Sequence, residues 1–122
     1  TVYRIYENET GKIKADLICL ADETFDTSEE LKLFDPAAPW KKTKLAGGTY
    51  TMKELLIPVV KNGKVVYRSP KVMEIREYCA KEKETLWNET KRFANPQEVY
   101  VDLSQKLYDL KVELLNHMHE AD

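Results

Sequence analysis

Few residues in this sequence have the types and spacing that chemistry requires. His117 and His119 are the only histidines. Two positions apart on a helix they would point about 200° from each other, so they cannot close on one metal ion unless the chain end unwinds. A frayed tail is the expected state for them, and they are assigned no role. Cys19 and Cys79 are the only cysteines and lack metal-type spacing. Both fall in apolar stretches and read as small core residues with free thiols; no positioned base adjoins either to make it a nucleophile. Gly11, Gly47, Gly48 and Gly63 sit in hairpin contexts and not between a strand and a helix, so no phosphate-cradling loop is present. Neither a Gly-x-Ser-x-Gly elbow nor a His-Glu-x-x-His pair occurs. Among the 21 Asp and Glu residues, none stands in an apolar context that would mark it as a proton donor with a raised pKa. The expected catalytic, cofactor-binding and metal-binding sets are therefore empty.

One cluster could bind rather than react. Trp40 beside Lys41 and Lys42 offers an aromatic face and two cations, a pattern suited to docking on a partner or holding an anion. A single aromatic is a poor platform for bases, so nucleic acid is not the expected partner. Charge is unevenly distributed around this cluster. Residues 21–35 carry a net charge of −5, residues 36–73 a net +7, and residues 77–122 a net −4. A basic β segment of this kind could face an acidic protein or a nucleic acid. The plainer reading is that lysines on strands and hairpin tips point to solvent and blunt sheet edges. Asn8-Glu9-Thr10 and Asn88-Glu89-Thr90 match the glycosylation sequon. With no charged start leading into an apolar run, both read as chance matches.

The elements that would position these residues divide into a β-rich part and a helical part. Val2 to Glu7 and Ile13 to Ala21 are two β-competent runs joined by Asn8-Glu9-Thr10-Gly11, which predicts a hairpin. Leu31 to Phe34 is a short strand stopped at Asp35-Pro36, a turn signal reinforced by Pro39. Trp40 to Leu45 follows, and Gly47-Gly48 turns the chain into Tyr50 to Val60, where Pro58 would suit an edge or a bulge. Asn62-Gly63, between Val59-Val60 and Val65-Val66-Tyr67, is the strongest hairpin signal, because both central positions of a type I′ turn need positive φ. Ser69-Pro70 then supplies a cap and a first-turn proline. Val72, Ile75, Cys79, Leu86 and Phe93 fall within about 60° of arc, predicting a helix over about 70–93 that Asn95-Pro96 ends. Lys83 falls inside that stripe and would have to snorkel out of it. Val99-Tyr100-Val101 reads as a short link and Asp102 as the cap of a second helix over about 103–118. In that helix Leu103, Leu107, Leu110, Leu114 and Met118 span about 80°. Strands followed by helices without alternation indicate an α+β fold: antiparallel hairpins over about 2–67 with two amphipathic helices packed on the sheet.

The 122 residues, 43% of them hydrophobic and 33% charged with a net charge of −2, fit one domain spanning 1–122 and exclude intrinsic disorder. No apolar run approaches the length of a membrane helix. A cytoplasmic protein is expected, its thiols reduced. The chain opens Thr1-Val2-Tyr3-Arg4-Ile5-Tyr6 in a strand pattern without a methionine, as a piece of something larger would.

Several runs carry a family resemblance. They are Gly11 to Glu23 (GKIKADLICLADE), Leu33-Phe34-Asp35-Pro36 with Trp40-Lys41, and Glu54 to Pro58. Ile75 to Cys79, Leu86-Trp87, Lys91-Arg92-Phe93 with Asn95-Pro96, and Tyr100 to Leu110 (YVDLSQKLYDL) continue the pattern. In these runs, and in their order along nearly the whole chain, the sequence resembles the C-terminal domain of bacterial nicotinate phosphoribosyltransferases. Ala37-Ala38-Pro39 and Ala46-Gly47-Gly48 depart from the pattern. The resemblance implies a parent enzyme of NAD salvage, both glycosyltransferase and ligase in character. It would join nicotinate to phosphoribosyl pyrophosphate, coupled to ATP hydrolysis through a phosphorylated histidine, with Mg²⁺ as cofactor and commonly as a homodimer. It also implies that the catalytic groups lie in an upstream barrel. No motif carrying them matches a position here, and neither His117 nor His119 stands in for the phosphorylated histidine. The expected role is a non-catalytic accessory domain that packs on the catalytic domain of the same enzyme. The rival expectation is a free-standing module that binds through its basic β face.

Overall fold

The computed structural model of the chain describes residues 1–38 and 40–120. Pro39, the residue expected to reinforce the turn after Phe34, lies outside the described residues. The elements run β1 (Val2–Glu7), β2 (Ile13–Ile18), β3 (Leu31–Phe34), β4 (Lys42–Leu45), β5 (Tyr50–Glu54), β6 (Val60–Lys61), β7 (Lys64–Val65), α1 (Val72–Glu84), α2 (Asn88–Lys91), β8 (Val101–Leu103) and α3 (Gln105–Glu120). An α+β architecture results, as the order of patterns predicts. Its sheet, however, is mixed, not an antiparallel meander. Six strands lie in the order β4-β3-β8-β2-β1-β5, and β6 and β7 pair only with each other.

The first hairpin forms as the turn residues dictate. Gly11 has φ +70°, its N–H donates to the Glu7 carbonyl at 2.8 Å, and β1 and β2 pair with Ile5 opposite Ala15. Arg4 and Asp16, also opposite one another, join through two parallel hydrogen bonds, Nε to Oδ1 at 2.8 Å and an Nη to Oδ2 at 3.1 Å. Burial alternates along β2, with Ile13, Ala15 and Leu17 inside. These residues meet Ile5, Leu31, Leu33 and Tyr50 in the core, with Phe25, Leu45 and Met52 packed against it. Phe25 belongs to the loop between β2 and β3, and its ring meets Tyr3 edge-on at 5.3 Å. The Tyr50 hydroxyl donates to the Glu29 carbonyl at 2.8 Å, tying the same loop to β5.

Two glycines hold that loop against the turn before β5, each for its own reason. A Cβ on Gly47 would lie 2.0 Å from the Ser28 carbonyl oxygen, so only glycine permits this approach of two backbones. Gly48 has open space but φ +78°, and its N–H donates to the Thr27 carbonyl at 2.8 Å.

The short link of the sequence reading is a strand. β8 enters between β2 and β3, parallel to β2, with Asp16, Leu17 and Ile18 level with Val101, Asp102 and Leu103. Phe34 of β3 lies opposite Leu103 on its other side. Leu103, assigned by periodicity to a helix face, is therefore buried in the sheet, and the helix begins two residues later. Ser104, not Asp102, caps it. Its Oγ accepts the Leu107 N–H at 3.2 Å and donates to Glu23 Oε2 at 2.7 Å, and its N–H donates to the Ile18 carbonyl at 3.0 Å.

The first helix ends at Glu84, not near residue 93. At its end the Thr85 N–H turns back to the Glu82 carbonyl, and the Thr85 carbonyl accepts the Ile13 N–H at 2.8 Å. The start of β2 thus captures the backbone that would have continued the helix. Lys12 Nζ also reaches the Glu84 carbonyl at 2.6 Å, placing a cation at the helix C-terminus where the dipole favours one. The N-cap is Lys71, not Ser69; its N–H donates to the Glu74 carboxylate at 3.1 Å. No residue of α1 is buried, so its stripe is not packed on the sheet and Lys83 has no apolar face to escape. Cys79 is exposed, while Cys19 is buried. α3 packs only at its start, where Tyr108 stacks on Phe34 with ring centres 4.8 Å apart and planes 7° apart. It continues to Glu120, so His117 and His119 sit on a helix and not in a frayed tail. Asn62 (φ +53°) and Gly63 (φ +76°) make the predicted positive-φ turn, yet the hairpin stands apart from the main sheet. Pro58 follows the end of β5 and lies in no strand.

Two substitutions test this construction. Gly47→Ala forces the Ser28 backbone to move and is expected to destabilise the chain by about 1–3 kcal/mol in urea unfolding, against a near-neutral Ala46→Ser control. Ser104→Ala removes the cap and one donor to Glu23, with an expected loss of about 2 kcal/mol measured in the same way.

Candidate functional site

A cleft of about 640 Å³ lies where β2, β3 and β8 meet the segment that follows α1. Its floor is apolar: Ile13, Ala15 and Leu33 come from alternate, inward-facing positions of β2 and β3. Leu86 and Trp87 form one wall. Trp87 is held there because its indole Nε1–H donates to the Ile13 carbonyl at 2.9 Å, the same residue whose N–H anchors Thr85. The opposite rim carries Asp35, Lys41 and Thr43, and Glu98, Val99 and Tyr100 lead into β8. The Asp16 N–H donates to the Tyr100 carbonyl at 2.9 Å, so that approach belongs to the sheet's own ladder.

Asp102 also lines this cleft. Leu17 lies opposite it in β2, and the residue is 7% exposed. Among the described residues no hydrogen-bond donor or ion-pair partner reaches its carboxylate; the ion pairs present are Arg4–Asp16 and Lys53–Glu82. Burial raises the Asp102 carboxyl above its ordinary value, and the negative charge of Asp35 adds to the shift. The sequence reading found no carboxylate in an apolar context, and Asp102 corrects it. The signal was a lone acid between Val101 and Leu103. Read as a helix cap, it did not register as a strand residue facing inward.

The Trp40, Lys41 and Lys42 cluster does not form one patch. Trp40 is 76% exposed in the turn before β4, and the Lys41 N–H donates to the Ala38 carbonyl at 2.8 Å. Lys41 lines the cleft. Lys42, the next residue, places Nζ 5.5 Å from the centre of the Phe34 ring. The wider basic segment is divided as well. Lys42 and Lys44 lie on edge strand β4, Lys53 on the opposite edge strand β5, and Lys61 and Lys64 on the separate hairpin. A single basic β face is thus not formed, because the sheet order carries these strands to opposite edges. Among the described residues no group of three or more His, Cys, Asp or Glu side chains is placed to hold a metal ion. No described helix is long and apolar enough to cross a membrane.

The remaining polar groups near the core are structural. Glu23 accepts the Leu20 N–H at 2.8 Å as well as the Ser104 hydroxyl. Burial, followed by the charge of Glu23, pushes the Cys19 thiol up, away from the thiolate that reactivity requires. Asn8, in the first sequon match, donates through Nδ2 to the Gly48 carbonyl at 2.8 Å.

The Asp102 shift has a definite sign in stability. The folded state holds this proton more tightly than the unfolded chain, so the group favours folding while neutral and its contribution is lost as pH rises through the raised pKa. Asp102→Asn is therefore expected to raise Tm at pH 7, with the gain shrinking toward zero near pH 3, below the ordinary Asp pKa of about 3.9. Thermal melts across that range check it; a gain that does not vary with pH contradicts the assignment.

Comparison with known proteins places this fold. Over 117 residues, 96% of the chain, the sequence is 28% identical to the nicotinate phosphoribosyltransferase of Bacillus subtilis (strain 168), and it spans about a quarter (24%) of that relative's length. The crystal structure of human nicotinic acid phosphoribosyltransferase superposes with a TM-score of 0.80 at 20% identity, covering 93% of this chain and 22% of that one. At that identity the likeness establishes the fold. Residues 1–111 match the family model of the nicotinate phosphoribosyltransferase C-terminal domain, and the chain belongs to that family.

Proposed function

We propose that the chain works as the accessory C-terminal domain, 1–122, of a cytoplasmic enzyme of NAD salvage. That enzyme joins nicotinate to phosphoribosyl pyrophosphate with ATP hydrolysis and Mg²⁺, and this domain contributes no catalytic group. Its task is to pack on the catalytic domain of the same protein, which is in turn a candidate for homodimer formation. The observation that carries the reading is the apolar surface running from Leu56 to Tyr78. Leu56, Ile57, Val60, Val65, Val72 and Ile75 are all at least half exposed, along a segment that holds the β6–β7 hairpin and most of α1. A lone two-stranded hairpin is at best marginal in water, and so is an isolated helix shorter than about 12–15 residues. Both elements need a covering surface, and exposed apolar area of this extent marks an interface. The chain's share of its relative, 24%, leaves room for a large partner in the same polypeptide. Trp40 and Lys41 remain candidates for docking on it. Division of the basic residues between opposite sheet edges removes the support for a free-standing module that binds through one basic face.

The isolated chain is expected to form no nicotinate mononucleotide from nicotinate, phosphoribosyl pyrophosphate and ATP, measured by chromatography of the product; turnover by the pure chain overturns the proposal. In the full-length enzyme, the double variant Val65→Asp/Ile75→Asp is expected to loosen this domain and raise its susceptibility to limited proteolysis at least tenfold. An unchanged proteolysis rate removes the interface from residues 56–78.

A further inference from the structure

The cleft at β2, β3 and β8 has a use that packing does not explain. Asp102 is 7% exposed where it lines this cleft, and an unpartnered carboxylate in so little water is costly to keep charged. Native proteins meet that cost with a hydrogen bond, an ion pair, a bound cation or a retained proton, and Asp102 has neither of the first two among the described residues. Asp35 lies on the same cleft and adds negative charge at close range. A carboxylate has no proton to donate, so Asp35, whose Oδ1 accepts the Ala37 N–H at 2.9 Å, is no hydrogen-bond partner for Asp102. Lys41 stands on the rim but pairs with neither acid.

The rest of the lining selects the kind of cation. Among the described residues no three His, Cys, Asp or Glu side chains are placed to hold a metal ion, whereas the floor here is Ile13, Ala15 and Leu33 and one wall is the pinned indole of Trp87. An organic cation matches both surfaces: its charged head meets Asp102, its carbon stem covers the apolar floor, and its head or stem lies along an aromatic face. We infer that this cleft binds an organic monocation, a primary ammonium or guanidinium group on an aliphatic stem, through Asp102, with Asp35 supporting the charge and Trp87 the contact. The cation can come from a free small molecule or from a Lys or Arg side chain of the catalytic part. This second source alone rests on the function proposed above.

The test titrates the chain with n-butylguanidinium and n-butylammonium, followed by NMR of the Trp87 indole N–H and of the Ala15 and Leu33 methyl groups. Saturable shifts at these positions are expected, with n-butanol and n-butyrate producing none. Asp102→Asn, which keeps the side-chain volume, is expected to weaken binding roughly tenfold or more, as loss of a charge-assisted bond does. Asp35→Asn should weaken it less. No saturable shift with either cation, or equal affinity in Asp102→Asn, overturns the inference whether or not the chain belongs to a nicotinate-using enzyme. Repeating the titration on the full-length enzyme separates the sources. Retained binding assigns the cleft to a free molecule, and binding lost only in the full-length protein assigns it to a side chain already seated there.

Discussion

Three residues, Val101 to Leu103, complete the sheet from within. Without β8, strands β2 and β3 would each present an unpaired edge to the other across a gap, and the two halves of the sheet, β4-β3 and β2-β1-β5, would be joined only by loops. Insertion closes the gap with a parallel pairing on one side and an antiparallel one on the other. Backbone hydrogen bonds at a buried edge must all be made, since each one left open costs a large part of its desolvation energy. Ser104 locks the insertion at its exit. One residue satisfies the last sheet bond, the first turn of α3 and the Glu23 carboxylate of the loop over the core.

That single event also sets where the remaining polar chemistry sits. A strand alternates its side chains, so putting Leu103 on the face that meets Phe34 and α3 obliges Asp102 to take the other, where the neighbouring positions of β2 are apolar. The buried carboxylate is thus a consequence of strand register, and the cleft around it follows from the capture of Thr85 and Trp87 by the start of β2. The same capture leaves α1 attached by its C-terminal turn, with Lys53 reaching Glu82 at 3.9 Å and the Tyr78 ring at 5.5 Å. The described chain is accordingly two-sided in character. The sheet and its loop bury their apolar residues among themselves, while the segment from 56 to 78 keeps its own exposed. The chain spans about a quarter of the length of the relative it matches.

Local chemistry made much of the fold legible in the residues themselves. Turns that need positive φ declared themselves through Gly11, Gly48 and Asn62-Gly63, and the apolar run from Ile13 announced a strand. The stop at Asp35 and the α+β class followed from similar signals, each residing within a few neighbouring residues. Family membership was legible for a related reason: the ordered runs from Gly11 to Leu110 preserve residues whose spacing survives even where the loops differ. The candidate site was hardly legible. Trp40, Lys41 and Lys42 are adjacent in sequence yet serve different surroundings, Lys41 lining the cleft and Lys42 lying by the Phe34 ring, whereas Asp35 and Asp102 are far apart in sequence and share a cleft.

The sequence by itself determined the turns, the first strands, the helical character of residues 72–84 and 105–118, and the family. Tertiary structure alone decided three further matters. It made Val101 to Leu103 a central strand, because three residues carry too little periodicity to distinguish a link from a strand until two unpaired edges exist to receive them. It ended α1 at Glu84, because the competing partner for the Thr85 carbonyl is the N–H of Ile13, distant in the chain. It buried Asp102, because the direction of a strand side chain depends on register with neighbours, and register is a property of the assembled sheet.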